Sequence, residues 1–195
     1  MSVEVEASGA RVDAKFAGRE GGALLLTLMR DVRLMLIALW LGAAVFFSAA
    51  VAPTAFAVLR GRHVTNASEL AGTIVTRTLA IVNTSGFLIG LLLLASAFPF
   101  RARLRARAFY AEVVALALVA LTTAVGQWII NARLLALRAA MGKPIDEVDP
   151  NDSLRAAFND LHGYSVVALS IAILAAAVAL LLIARRERPR RLETS

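Results

Sequence analysis

From Leu34 to Leu59 the chain runs for 26 residues (LMLIALWLGAAVFFSAAVAPTAFAVL) without one charged side chain. That length suits a membrane crossing. About 20 mainly apolar residues span the hydrocarbon core as a helix, which pairs every backbone N–H and C=O internally where no water can reach. Three further stretches meet the same condition: residues 71–98, with the single charge Arg77 near its start; 108–130, with Glu112 close to its beginning; and 161–184. The reading is an all-α polytopic membrane protein, a four-transmembrane-helix bundle. A hydrophobic content of 59% and a mean hydropathy of +0.72 agree with it, since soluble domains are roughly 45–50% apolar. Some 30 mostly polar residues precede the first run, so a cleaved signal peptide is not expected and the first span stays as an anchor.

Orientation follows from the basic residues, which sort to the cytoplasmic side of short loops. Arg11, Lys15, Arg19, Arg30 and Arg33 precede the first span, Arg101, Arg103, Arg105 and Arg107 follow the second, and five arginines between Arg185 and Arg191 follow the fourth. Together these make 14 of the 21 lysines and arginines. The opposite side holds Arg60, Arg62, Arg77, Arg133, Arg138, Lys143 and Arg155, offset by Glu69, Asp146, Glu147, Asp149, Asp152 and Asp160. Both termini are therefore predicted in the cytoplasm. The same distribution accounts for the net charge of +7 through membrane orientation, and no nucleic-acid partner is expected.

Residues 1–30 are expected to form a mobile cytoplasmic arm, 31–184 the transmembrane domain and 185–195 a basic cytoplasmic tail lying against anionic lipid. Ser68 is a candidate N-cap for the second span, and Pro99 closes it by denying the helix a hydrogen bond. The third span is expected to continue past the membrane surface to Ala140 and stop at Gly142. Asp152 or Ser153 is placed to cap the fourth.

Polar residues inside lipid are costly unless they face another helix or a water-filled cavity. In the second span Gly72, Thr76, Leu79, Asn83, Gly86 and Gly90 share one face, and Gly86-x3-Gly90 is a spacing that lets backbones approach closely. Ala38-x3-Gly42 repeats it in the first span, so Gly42, Gly86 and Gly90 are the candidate packing positions. Thr123, Gln127 and Asn131 project from one side of the third span, with Glu112 three turns away on that side. Glu112 is expected to pair at the surface with arginines between Arg103 and Arg107.

Because successive spans reverse direction, Arg77, Asn83, Gln127, Asn131, His162 and Ser165 can converge in a polar pocket toward the outer leaflet. The alternative reading makes Arg77 a snorkelling anchor, Trp128 and Tyr164 an aromatic belt, and Asn83 an ordinary interhelical hydrogen-bonding group. His63 and His162 with Asp160 or Glu69 offer metal-compatible donors, but no helical ligand pairing, and no metal or cofactor is expected. The absence of cysteine removes thiolate ligands and nucleophiles. No phosphate-binding loop, G-x-S-x-G or H-E-x-x-H is present, and no enzymatic activity is expected.

The runs Ala38–Leu59, Ala71–Gly86 (AGTIVTRTLAIVNTSG) and Phe158–Ser165 (FNDLHGYS) resemble the family of small membrane proteins typified by transmembrane protein 205 and its bacterial relatives. The resemblance implies a four-helix membrane domain of unassigned activity. Any shared site would map to Pro53, Arg77, Asn83, His162 and Ser165. The expected role is a non-enzymatic interaction subunit of a membrane assembly; the alternative is a binder or carrier of a small molecule or ion through the outer-leaflet pocket. Expected partners are membrane lipids and further copies of the chain or other membrane proteins, in a bacterial inner membrane.

Overall fold

The computed structural model describes the backbone of residues 2–103 and 106–185 and the side chains of 21, 22, 24–101 and 106–185. The expected basic tail beyond 185, and the side chains of the first 20 residues of the expected arm, lie outside the described residues. Helix α1 (Ser2–Phe46) passes through a π-helical turn at Phe47–Val51 into α2 (Ala52–Gly61). Helix α3 (Ala67–Ala95) follows. A 3-10 segment (Phe98–Arg103) precedes α4 (Ala106–Ala124), which continues through a second π-helical segment (Val125–Ile130) into α5 (Asn131–Met141). A 3-10 turn (Ile145–Glu147) then leads to α6 (Ser153–Ala184). Among the described residues there is no strand.

Four helical stretches, Leu24–Gly61, Ala67–Ala95, Ala106–Met141 and Ser153–Ala184, are long and apolar enough to cross a membrane. At 1.5 Å per residue even the shortest, of 29 residues, is about 44 Å long, which exceeds the ~30 Å hydrocarbon core.

Local chemistry explains most of the boundaries. Pro53 has no N–H for the carbonyl four residues behind it, and the turn before it widens into the π-helical Phe47–Val51. Gly142 ends α5 in the left-handed region at φ 63°, where a side chain would be strained. Asp152 caps α6, accepting hydrogen bonds from the backbone N–H groups of Leu154 at 2.7 Å and Arg155 at 3.4 Å. The start of α3 corrects the expectation for Ser68. The N-cap is Asn66, at φ 57° and without a side-chain capping bond. The N–H of Glu69 instead donates to Asp146 Oδ2 at 3.0 Å, and Ile145 N–H donates back to Glu69 Oε2 at 3.3 Å. This reciprocal cap joins the first turn of α3 to the α5–α6 connection, far away in sequence.

The four spans form a ring in which each packs on the next and the last returns to the first: α1 and α2 on α3, α3 on α4, α4 on α6, and α6 on α1. The core draws Ile37, Trp40 and Ala44 from α1, Leu116 and Val119 from α4, and Ala172, Ala176 and Ala179 from α6. Alanine at those α6 positions keeps its backbone close to α4, which matters because lipid offers no hydrophobic drive for helices to associate. The opposite faces, with Leu88, Leu92, Leu121, Leu174 and Leu181, are exposed and present the surface that lipid chains would cover.

Candidate functional site

The face of α3 that carries small and polar residues turns inward. A Cβ on Gly86 would lie 2.6 Å from the indole of Trp40. Its absence lets the indole lie on α3 and donate from Nε1 to the Val82 carbonyl at 2.9 Å. Gly90 meets the backbone of Ala120 on α4, with a virtual Cβ 3.1 Å from its nitrogen. Asn83 is buried, and its amide nitrogen would be 3.0 Å from a Cβ on Gly126, so that glycine provides the room the amide occupies. Gly42 is exposed on α1, and a Cβ added there would meet nothing within 4 Å among the described residues.

Where α1 meets the α3–α4 connection, Arg33 is 2% exposed and Glu112 is 1% exposed. Arg33 donates from Nη2 to Glu112 Oε1 at 2.6 Å and from Nη1 to the Leu93 carbonyl at 2.6 Å and to Ser96 Oγ. Its guanidinium also stands 5.7 Å from the Phe100 ring centre. Glu112 therefore lies inside the bundle and not at its surface; of the arginines expected to pair with it, the side chains of Arg103 and Arg105 lie outside the described residues. The helical register of α4 puts Glu112 on the buried side with Leu116, Val119 and Thr123, and the long Arg33 side chain meets it there. The companion carboxylate and the carbonyl compensate the desolvation of each charge, which either group alone would bear in full.

The other end of the bundle is built differently. There a cavity of about 410 Å³ opens among α2, α3, α5, α6 and the loop before α6. Arg60, Arg138 and Arg155 reach it from α2, α5 and α6. Two of these guanidiniums lie over aromatic rings: Arg60 is 5.2 Å from the centre of Phe56, and Arg138 is 5.4 Å from that of Phe158. Arg138 Nε stands 3.4 Å from Glu69 Oε1 but makes no hydrogen bond. Arg155 donates to the Val148 carbonyl, and Arg60 to Ser68 Oγ at 3.2 Å. Thr76, Asn159 and His162 add polar groups to the wall.

Asp146 is the carboxylate in that wall. Its burial tends to raise its pKa, but hydrogen bonds from the Ser68 side chain and the backbone of Glu69 and Ser68, together with Arg60, leave it below the usual aspartate value.

Of the six residues expected to converge, His162 lines this cavity. Arg77 is exposed on α3, Ser165 and Asn83 are buried inside the bundle, and Gln127 and Asn131 are half-buried on the third span; these five are not among the cavity's lining residues. Gln127 Oε1 is buried without a hydrogen-bond partner. His63 lies in the α2–α3 connection at φ 51°, and among the described residues no three His, Cys, Asp or Glu side chains gather as a metal site. The arginines that do converge enter the sequence argument only as charges on one side, because they belong to three segments whose relative rotation sequence does not carry.

The architecture and these two ends define the class, an all-α four-helix membrane bundle with a closed polar end and an open one. The chain belongs to the family described as domain of unknown function DUF4149, whose model matches residues 35–143, more than half of the chain. The matched region contains Arg60, Gly86, Glu112 and Arg138, whereas Arg33, Asp146 and Arg155 lie outside it. No curated protein and no solved structure matches the chain significantly.

Proposed function

We propose that this membrane protein binds a small molecule through the cavity beside Arg60, Arg138 and Arg155. The observation that carries the reading is a cavity of about 410 Å³ lined by charged, polar and aromatic side chains from four helices and the loop before α6, within the usual size range of ligand sites. The basic-residue asymmetry supports an arrangement with both termini in the cytoplasm and the cavity facing out, in a bacterial inner membrane. The likeness of three sequence runs to transmembrane protein 205 and its relatives supports a distant kinship with that family.

Thermal-shift screening of the detergent-purified chain against chemically varied small molecules tests the reading. A ligand should raise the melting temperature saturably in the wild type and not in Thr76→Trp, whose side chain would fill the cavity. An equal response in that variant would locate binding elsewhere and overturn the proposal.

A second reading, the interaction subunit, is favoured by the exposed Ala38 and Gly42 on α1, where another helix could approach closely. It predicts a fixed partner, or a second copy, retained in mild detergent and released by Gly42→Leu. Native mass measurement of both forms decides it.

A further inference from the structure

We infer that the cavity's ligand carries a phosphate group, an inference that rests on the binding reading above and assigns its chemistry. Three guanidiniums converge on one space, while the carboxylates near them are already engaged. Asp146 accepts from Glu69 N–H and Ser68, and Glu69 accepts from Ile145 N–H and faces Arg138. Among the residues that line the cavity three arginines stand against the single carboxylate of Asp146, while Glu69 lies behind Arg138 and Asp152 on the backbone N–H of Arg155, so the lining itself favours an anion over a cation.

The donors are also available. Each guanidinium has five N–H groups, of which Arg155 uses one toward Val148 and Arg60 shares two with a single hydroxyl; Arg138 Nε is buried against Glu69, so Arg138 would serve a ligand through its Nη groups. Stacking on Phe56 and Phe158 leaves a guanidinium's edge free to donate, and the planar fork matches two phosphate oxygens at once. Thr76, Asn159 and His162 can serve the remaining oxygens or an attached hydroxyl. Val75 and Leu134, also in the wall, give an apolar flank suited to whatever the phosphate is joined to. The phosphate could belong to a lipid headgroup or to a soluble molecule.

The test is made on the full chain in an uncharged detergent, with inorganic phosphate, glycerol 1-phosphate, phosphatidylglycerol, uncharged monoacylglycerol and choline as probes. Melting temperature and native mass are read for each. At least one phosphate-bearing probe should bind saturably and choline should not. Arg155→Gln and Arg60→Gln should each weaken that binding about tenfold, whereas Arg77→Gln, equally cationic but outside the cavity, should leave it unchanged. Response to phosphatidylglycerol alone assigns a headgroup; response to the two soluble phosphates assigns a soluble ligand; both support the inference. Equal binding by all three variants would show general attraction to a basic surface and overturn it. Saturable binding of monoacylglycerol or choline, but of no phosphate, would overturn the phosphate assignment and leave the binding reading standing. No response to any probe, charged or neutral, would overturn the assignment, while the broader screen with Thr76→Trp judges the binding reading separately.

Discussion

Arginine is used in opposite ways at the two ends of this bundle. Arg33 is withdrawn into the interior, where a carboxylate, a carbonyl and a hydroxyl hold it. Arg60, Arg138 and Arg155 stand around open space, braced from behind by rings, a carboxylate or a backbone oxygen, with donors left over. A buried ion pair whose partners match closes a structure; a group of like charges around a cavity calls for something from outside. The difference teaches that charge count alone does not separate a structural arginine from a binding one, whereas the compensation each arginine already has does.

The closed end should break most severely. Glu112→Ala leaves Arg33 buried without its carboxylate and is expected to cost about 3–5 kcal/mol, read as a large fall in the melting temperature in detergent. The double variant Arg33→Met with Glu112→Leu should recover most of that loss, because both desolvation costs disappear together. A double variant as unstable as the single one would show that the pair matters for more than charge compensation.

Next is the contact between Trp40 and Gly86, midway between the ends. Gly86→Ala puts a methyl group where the indole lies, an overpacking expected to cost about 1–3 kcal/mol. Trp40→Phe, which loses only the bond to Val82 and part of the ring, should cost less. Shifts of equal size in the two variants would mean that the hydrogen bond, and not the close approach, dominates.

At the open end a smaller effect is expected from Asp146→Asn, which removes the charge that caps α3 across the loops. Losses of about 0.5–1 kcal/mol are usual for exposed caps. The pH dependence has a definite sign. The Asp146 carboxyl titrates below its unfolded value of about 3.9, so its contribution is present above that pH and is lost as pH falls through the lower, folded value. Protection of the amides at the start of α3, taken relative to their intrinsic exchange rate at each pH, should therefore fall in acid in the wild type and depend less on pH in Asp146→Asn.

The smallest effect sharpens the comparison from outside both ends. Arg77 is exposed on α3 and apart from the cavity. Arg77→Lys keeps the charge and the reach needed at a membrane interface, and thermal aggregation in one detergent should not distinguish it from the wild type. A marked loss would place Arg77 in a specific contact and reopen its part in binding.

Sequence by itself determined the number of spans, the shared face of α3 from Gly72 to Gly90, the stop at Gly142 and a cap for α6 at Asp152 or Ser153. These follow from apolar length, from the helical period and from the backbone chemistry of single residues, all of which act within a few turns of chain. Tertiary structure alone decided that Glu112 meets Arg33, that Gly86 makes room for Trp40 and that α3 is capped by Asp146 from a distant loop. It also decided that Arg60, Arg138 and Arg155 surround one cavity. Each depends on how helices are rotated and staggered against one another. In a membrane bundle, where every helix is apolar on nearly all sides, hydrophobic pattern carries little of that information, and the contacts of a few polar and small residues supply the rest.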